Sequence, residues 1–98
     1  FGLDPKVLIS VLNATTGRNS ATDHKYPSMV LPRTFNSGFA IGLMAKDLRL
    51  ALEVARAAGT PTAMLEDTAR LYSEAEEQLG GRADNTEIVK YLESMLGK

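Results

Sequence analysis

The stretch from Ser37 to Gly59, SGFAIGLMAKDLRLALEVARAAG, constrains this chain most, because it is the longest uninterrupted helical pattern and is apolar on two sides. At about 100° per residue, Ile41, Met44, Leu48, Leu52 and Ala55 share one stripe, while Leu43, Leu50, Val54 and Ala57 lie nearly opposite. A helix patterned this way is expected to be covered on two faces. Lys46, Arg49, Glu53 and Arg56 fill the arc left over, but Asp47 falls in the row of small residues Ala40, Ala51 and Ala58 between the stripes. Its carboxylate is therefore expected to be buried, with hydrogen bonds from a neighbouring helix N-terminus, a cation or a ligand. Phe39 and Lys46 are seven residues apart, which puts them on one side of such a helix and about 10 Å apart along its axis. An ammonium and an aromatic edging the same face suit a phosphate or carboxylate together with a ring. The plainer reading is a lysine that snorkels at the border of an apolar face.

The run Gly38-Phe39-Ala40-Ile41-Gly42-Leu43-Met44-Ala45-Lys46-Asp47-Leu48-Arg49-Leu50-Ala51 resembles the GFxxxLMxKDLxLA segment of the β-hydroxyacid dehydrogenases, the 3-hydroxyisobutyrate dehydrogenase family related to 6-phosphogluconate dehydrogenase. The resemblance extends through Gly2-Leu3-Asp4-Pro5, Thr16-Gly17-Arg18-Asn19 and Ala58-Gly59-Thr60-Pro61, of which the lysine-aspartate helix with its preceding Gly-Phe is the most specific part. It implies the C-terminal helical domain of such an enzyme, an all-α single domain of about five helices around one long central helix. The Rossmann domain that binds NAD or NADP, and the linking helix that carries the catalytic lysine, would lie outside this chain. The resemblance further implies that Lys46 reaches the cofactor, that Phe39 shapes the nicotinamide pocket and that Asp47 supports the substrate side of the cleft. No catalytic residue is expected within the 98 residues. Gly42-Leu43-Met44-Ala45-Lys46 imitates half of the GxxGxxxK catalytic motif, but Phe39 stands where its first glycine belongs.

The totals narrow the alternatives. Eleven Lys plus Arg against 12 Asp plus Glu leave a net charge of −1 and no basic block to track a phosphate backbone, so nucleic acid is not an expected partner. The absence of cysteine removes disulfides, thiolate catalysis and cysteine-bound zinc, and fits a cytoplasmic setting. No apolar run reaches the roughly 18 residues of a membrane span. There is no GxGxxG, P-loop, HExxH or GxSxG motif, and a self-sufficient catalyst is not expected.

Along the chain, Gly2, Asp4 and Pro5 read as a helix stop, an N-cap and a first helical residue, as at the junction between two helices of a larger protein. A first helix is expected from Pro5 to about Ala14 with Val7, Leu8, Val11 and Leu12 inward. A short polar helix follows from Asn19 to Lys25, ended by Pro27, and then an ordered loop from Ser28 to Asn36. His24 stands without a second ligand residue at metal spacing, so it reads as a solvated surface residue and no metal site is expected. The long helix would be capped by Asn36 or Ser37, and the next would start at Thr60-Pro61 with Met64, Leu65, Thr68, Leu71, Tyr72, Ala75 and Leu79 inward. Gly80-Gly81 ends it. Asp84-Asn85-Thr86-Glu87 has the form of a capping box ahead of a last short helix.

Two functions from different classes fit this pattern. One is the cleft-closing domain of an NAD(P)-dependent oxidoreductase that moves hydride between the nicotinamide and a 3-hydroxy acid or semialdehyde, assembled as a homodimer. The other is a non-catalytic all-α dimerisation or interaction module. A glycine-rich strand-turn-helix about 160–190 residues upstream would mark the enzyme.

Overall fold

In the computed structural model, which describes residues 2–96, the elements follow as α1 (Pro5–Ala14), a π-helix (Ala21–Val30), α2 (Ile41–Ala57), α3 (Ala63–Leu79), a 3-10 turn (Asn85–Glu87) and α4 (Ile88–Ser94). Among the described residues there is no strand, only an isolated antiparallel bridge between Ala40 and Asp84, so the expected all-α class holds. The contacts within the chain group into two units, Phe1–Ser37 and Gly38–Lys98.

In the first unit α1 starts as its residues dictate: the Asp4 carboxylate accepts from the Lys6 N–H at 3.0 Å, and Pro5 sits in the first turn where a missing N–H costs nothing. Gly2 takes the left-handed φ of 78° expected of a helix stop, while Phe1 lies outside the described residues. The expected inward face is corrected. Ile9, Leu12 and Asn13 are half-buried, but Val7, Leu8 and Val11 are exposed, because the polar segment that follows offers little apolar cover.

That following segment is also longer than expected. The Asn19 side chain caps it, its Oδ1 accepting from the N–H groups of Ala21 and Thr22 at 2.9 and 3.1 Å, and the helix runs straight through Pro27 to Val30. Proline breaks an α-helix because it lacks the N–H and its ring strikes the carbonyl four residues back. A π-turn shifts the bonding to i−5. The carbonyl that Pro27 then leaves without a donor is that of Thr22, and the Asn13 side chain from α1 donates to it at 3.0 Å. After the π-helix, Arg33 and Phe35 adopt left-handed φ values of 63° and 45°, with the Arg33 guanidinium 5.1 Å from the centre of the buried Phe35 ring.

The second unit is built on the α2–α3 hairpin. Gly59, at φ 73°, lets the Gly59 and Thr60 N–H groups turn back onto the carbonyls of Arg56 and Ala55 at 3.1 and 3.0 Å, closing α2. Thr60-Pro61 then lies in the connection, and α3 begins at Ala63, two residues later than the proline suggests. Arg56 and Glu66 pair at 2.7 Å across the hairpin. Ile41, Ala75 and Tyr91 form the core, with Leu71, Tyr72, Leu79, Ala83 and Ile88 packed around them. Met64, 86% exposed, and Thr68 point away from α2, contrary to the expected inward face of α3. The capping box forms as its residues predict: the Asp84 side chain accepts from the Thr86 N–H at 3.0 Å and Glu87 Oε2 from the Asp84 N–H at 2.8 Å.

Candidate functional site

The helix start carries the candidate residues, and its geometry differs from a capped helix beginning at Ser37. Gly38 takes a φ of 85°, Ala40 is extended, and α2 starts only at Ile41. Ala40 supplies no side-chain cap. The first free donors go instead to the turn after α3: Ile41 N–H to the Ala83 carbonyl at 2.6 Å and Gly42 N–H to that of Gly81 at 3.0 Å. A tertiary partner has replaced the local cap. This approach requires glycine at position 42, since a Cβ there would stand 2.8 Å from the Gly81 oxygen and 2.9 Å from Glu76 Oε2.

Two further ties bracket Phe39. The Gly38 N–H donates to Asp84 Oδ1 at 2.9 Å, and the Phe39 carbonyl accepts from both the backbone N–H and the side-chain Nδ2 of Asn85, at 2.7 and 3.2 Å. Asp84, Asn85 and Gly42 were not foreseen as parts of a site. The capping-box pattern marks Asp84 for a local role, and nothing in the sequence shows that it also holds a residue 46 positions away.

Along α2 one of the two expected faces is covered. Ile41 and Ala45 are buried and Met44, Leu48, Leu52 and Ala55 half-buried against the rest of the unit. The opposite stripe is open, with Leu43, Leu50 and Val54 at 52, 56 and 61% exposure. Asp47 is corrected accordingly. It is exposed rather than buried, because α3 packs on the Ile41 side and, among the described residues, the row it shares with the exposed Ala51 and Ala58 is left uncovered. Lys46 is exposed as well, and neither side chain makes a hydrogen bond or ion pair among the described residues. On the helical wheel the ammonium and the carboxylate flank the open apolar stripe on its two sides. Phe39, half-buried, lies before the helix, which begins only at Ile41, so the helical spacing expected between it and Lys46 does not apply.

Electrostatic perturbation is found elsewhere in the unit. The buried Tyr91 hydroxyl of α4 donates to Glu74 Oε2 of α3 at 2.5 Å. That bond, and after it the Arg70 guanidinium, hold the Glu74 carboxyl below its ordinary range against the opposing effect of partial burial, and the same carboxylate pushes the Tyr91 hydroxyl up. The pair fastens α4 to α3 and is remote in sequence from the α2 face. Among the described residues no group of three or more His, Cys, Asp or Glu residues is placed to hold a metal, and His24 is exposed. No helix among them is long and apolar enough to cross a membrane.

Comparison with known proteins decides the family. Residues 1–92 match the family described as NAD-binding of NADP-dependent 3-hydroxyisobutyrate dehydrogenase. The chain belongs to that family. The 2-(hydroxymethyl)glutarate dehydrogenase of Eubacterium barkeri is 29% identical over 96 residues, which is 98% of this chain and 32% of that protein. An uncharacterized oxidoreductase of Shewanella frigidimarina is 34% identical over 94 residues, 94% of this chain and 31% of its own length. The mitochondrial 3-hydroxyisobutyrate dehydrogenase of Rattus norvegicus is 33% identical over 97 residues, 93% of this chain and 29% of its own length. The chain thus spans about a third of the length of the relatives it matches. The residues that match the family, 1–92, include the whole of α2, the turn after α3, and Asp84 and Asn85.

Proposed function

We propose that this chain is the helical domain that closes the active-site cleft of an NAD(P)-dependent β-hydroxyacid dehydrogenase, and that the open face at the start of α2 meets the nicotinamide dinucleotide. The observation that carries this reading is the exposed Lys46 ammonium, which has no partner among the described residues and borders an uncovered apolar stripe. A long cationic side chain held on a rigid helix, with no carboxylate to neutralise it, is available for a phosphate or a carboxamide oxygen. The half-buried Phe39, tied at its backbone, offers an aromatic surface of the kind that packs against a ring. The donor set therefore fits the dinucleotide.

When bound, the dinucleotide supplies the ring that exchanges hydride with a 3-hydroxy acid or the corresponding semialdehyde. This chain binds and orients. Lys46 holds an anionic or polar part of the dinucleotide, Phe39 limits the space beside the nicotinamide, and Asp47 presents a polar edge to the cleft. The group that moves the proton, and the main phosphate-binding turn, belong to parts of the protein outside these residues. The later part of the exposed stripe, at Leu50 and Val54, is proposed as the contact between two copies in a homodimer, since exposed apolar patches tend to find a partner, and the start of α2 is left to the dinucleotide. The test is to assay the full-length protein with NAD and NADP against a panel of short 3-hydroxy acids, following formation of the reduced dinucleotide. Oxidation of at least one 3-hydroxy acid is expected. Tight dinucleotide binding by a protein that oxidises none of them would leave a non-catalytic dehydrogenase-like module, and no dinucleotide binding would end the reading.

A further inference from the structure

Asn85 is a polar side chain that the second unit buries almost completely, leaving 4% of it exposed, at a place where the helix start does not need it. The orphan donors of α2 that face the turn, the N–H groups of Ile41 and Gly42, are already satisfied by the carbonyls of Ala83 and Gly81. The Asn85 amide is spent instead on the carbonyl of Phe39, which also accepts from the Asn85 backbone N–H. On the other side of the same residue, the Gly38 N–H is held by Asp84 Oδ1. The Phe39–Ala40 peptide is thus held by residue 85 and the Ser37–Gly38 peptide by residue 84, which anchors the short stretch of chain that carries the ring on both sides of it. Burying an amide costs free energy unless it is paired, and this one is paired with the Phe39 carbonyl. What it adds is a second restraint on one carbonyl.

We infer that Asn85 is a positioning residue that aims Phe39 at the nicotinamide end of the dinucleotide, with Asp84 holding the Ser37–Gly38 peptide one residue earlier. The inference rests on the proposed reading of Phe39 and Lys46, and it adds the residue that sets the reach of the first of them. Replacing Asn85 by alanine frees one of the two bonds to the Phe39 carbonyl, lets the ring sample other directions, and weakens dinucleotide binding without removing any group that touches it.

A double-mutant cycle in the full-length protein tests this, with calorimetric dissociation constants for the dinucleotide as the readout and temperatures held well below the melt of every variant. Asn85→Ala is expected to raise that constant about 2- to 10-fold, the range for one lost hydrogen bond. In a Phe39→Ala background the same change should add less than about twofold, because there is no ring left to aim. Equal fold-changes in the two backgrounds would mean that Asn85 acts only through general stability and would overturn the inference, as would an unchanged constant for Asn85→Ala alone. If Phe39→Ala itself leaves binding unchanged, the reading of the site fails first and takes this inference with it. Should Asn85→Ala not fold, Asn85→Ser, which keeps a small donor but not the reach of the amide, passes through the same cycle with the same two outcomes.

Discussion

Replacing Gly42 by alanine should destabilise the second unit, although alanine is the better helix former. The new Cβ would lie 2.8 Å from the Gly81 carbonyl oxygen, 2.9 Å from Glu76 Oε2 and 3.2 Å from Gly81 Cα. Glu76 can swing its carboxylate away, but the Gly81 peptide is backbone and is itself the acceptor of the Gly42 N–H at 3.0 Å. The turn must therefore back off the helix by several tenths of an ångström. Overpacking of this kind costs about 1–3 kcal/mol, and weakening the Gly42 bond adds about 0.5–1 kcal/mol. The gain in helix propensity, about 1 kcal/mol at most, offsets part of this. A net loss of about 2 kcal/mol corresponds to a fall in Tm of about 8–16 °C for a chain of this size. The assay is a thermal melt followed by far-UV circular dichroism, with Gly81→Ala as control. At Gly81 the nearest atom to a new Cβ is the mobile Glu76 carboxylate at 3.3 Å, so that variant should melt within a few degrees of the parent. A Gly42→Ala melt equal to or above the parent would refute the close approach of the turn to α2, and with it the tertiary cap on the candidate site.

Asp47→Ala should change stability by no more than about 0.5 kcal/mol, because the carboxylate is exposed and unpaired among the described residues; a loss above 1 kcal/mol in a denaturant titration would restore the buried position that its helical row suggested. Tyr91→Phe should flatten the pH dependence of stability at both ends. The Glu74 contribution, from a carboxyl held below its ordinary 4.5, is present above that pH and is lost as the pH falls through the lowered value. The Tyr91 contribution, from a hydroxyl raised above its ordinary 10.0, is present below that pH and is lost as the pH rises through the raised value. Urea titrations of parent and variant across pH check this, and identical profiles would remove the bond as a fastener of α4. Sedimentation equilibrium of the chain at tens of micromolar should give a dimer rather than the 10.6 kDa monomer, and substituting Leu50 and Val54 by glutamate should return it to the monomer; a monomer in both cases would mean the open stripe is not a contact between copies.

Local chemistry was legible in the sequence wherever one segment decided its own structure. Asp4-Pro5 starts α1, Gly59 closes α2, Gly80 closes α3 at φ 91°, and Asp84 with Glu87 forms the capping box, all from side chains within a few positions of the groups they satisfy. Periodicity also separates the two apolar stripes of α2, but it does not say which of them the rest of the unit covers. What was not legible depended on distant partners. The late start of α2 follows from carbonyls 81 and 83 reaching back to Gly42 and Ile41. The passage of a helix through Pro27 follows from an asparagine in another element attending to the Thr22 carbonyl. Two apolar stripes suggest two covers and hence a buried Asp47, but the neighbours of α2 supply only one, and Asp47 is exposed. The motif that carries the family resemblance was visible from the first, but it does not say that residues 84 and 85 hold its aromatic.

The most direct test of the account is calorimetric titration of the reduced dinucleotide into the full-length protein and its Lys46→Ala variant. The account predicts that removing the ammonium raises the dissociation constant by about 5- to 150-fold, equivalent to the roughly 1–3 kcal/mol of a lost charge-assisted hydrogen bond, with the melting temperature and the KM for the hydroxy acid little changed. An unchanged dissociation constant would take Lys46, and the start of α2, out of the cofactor site.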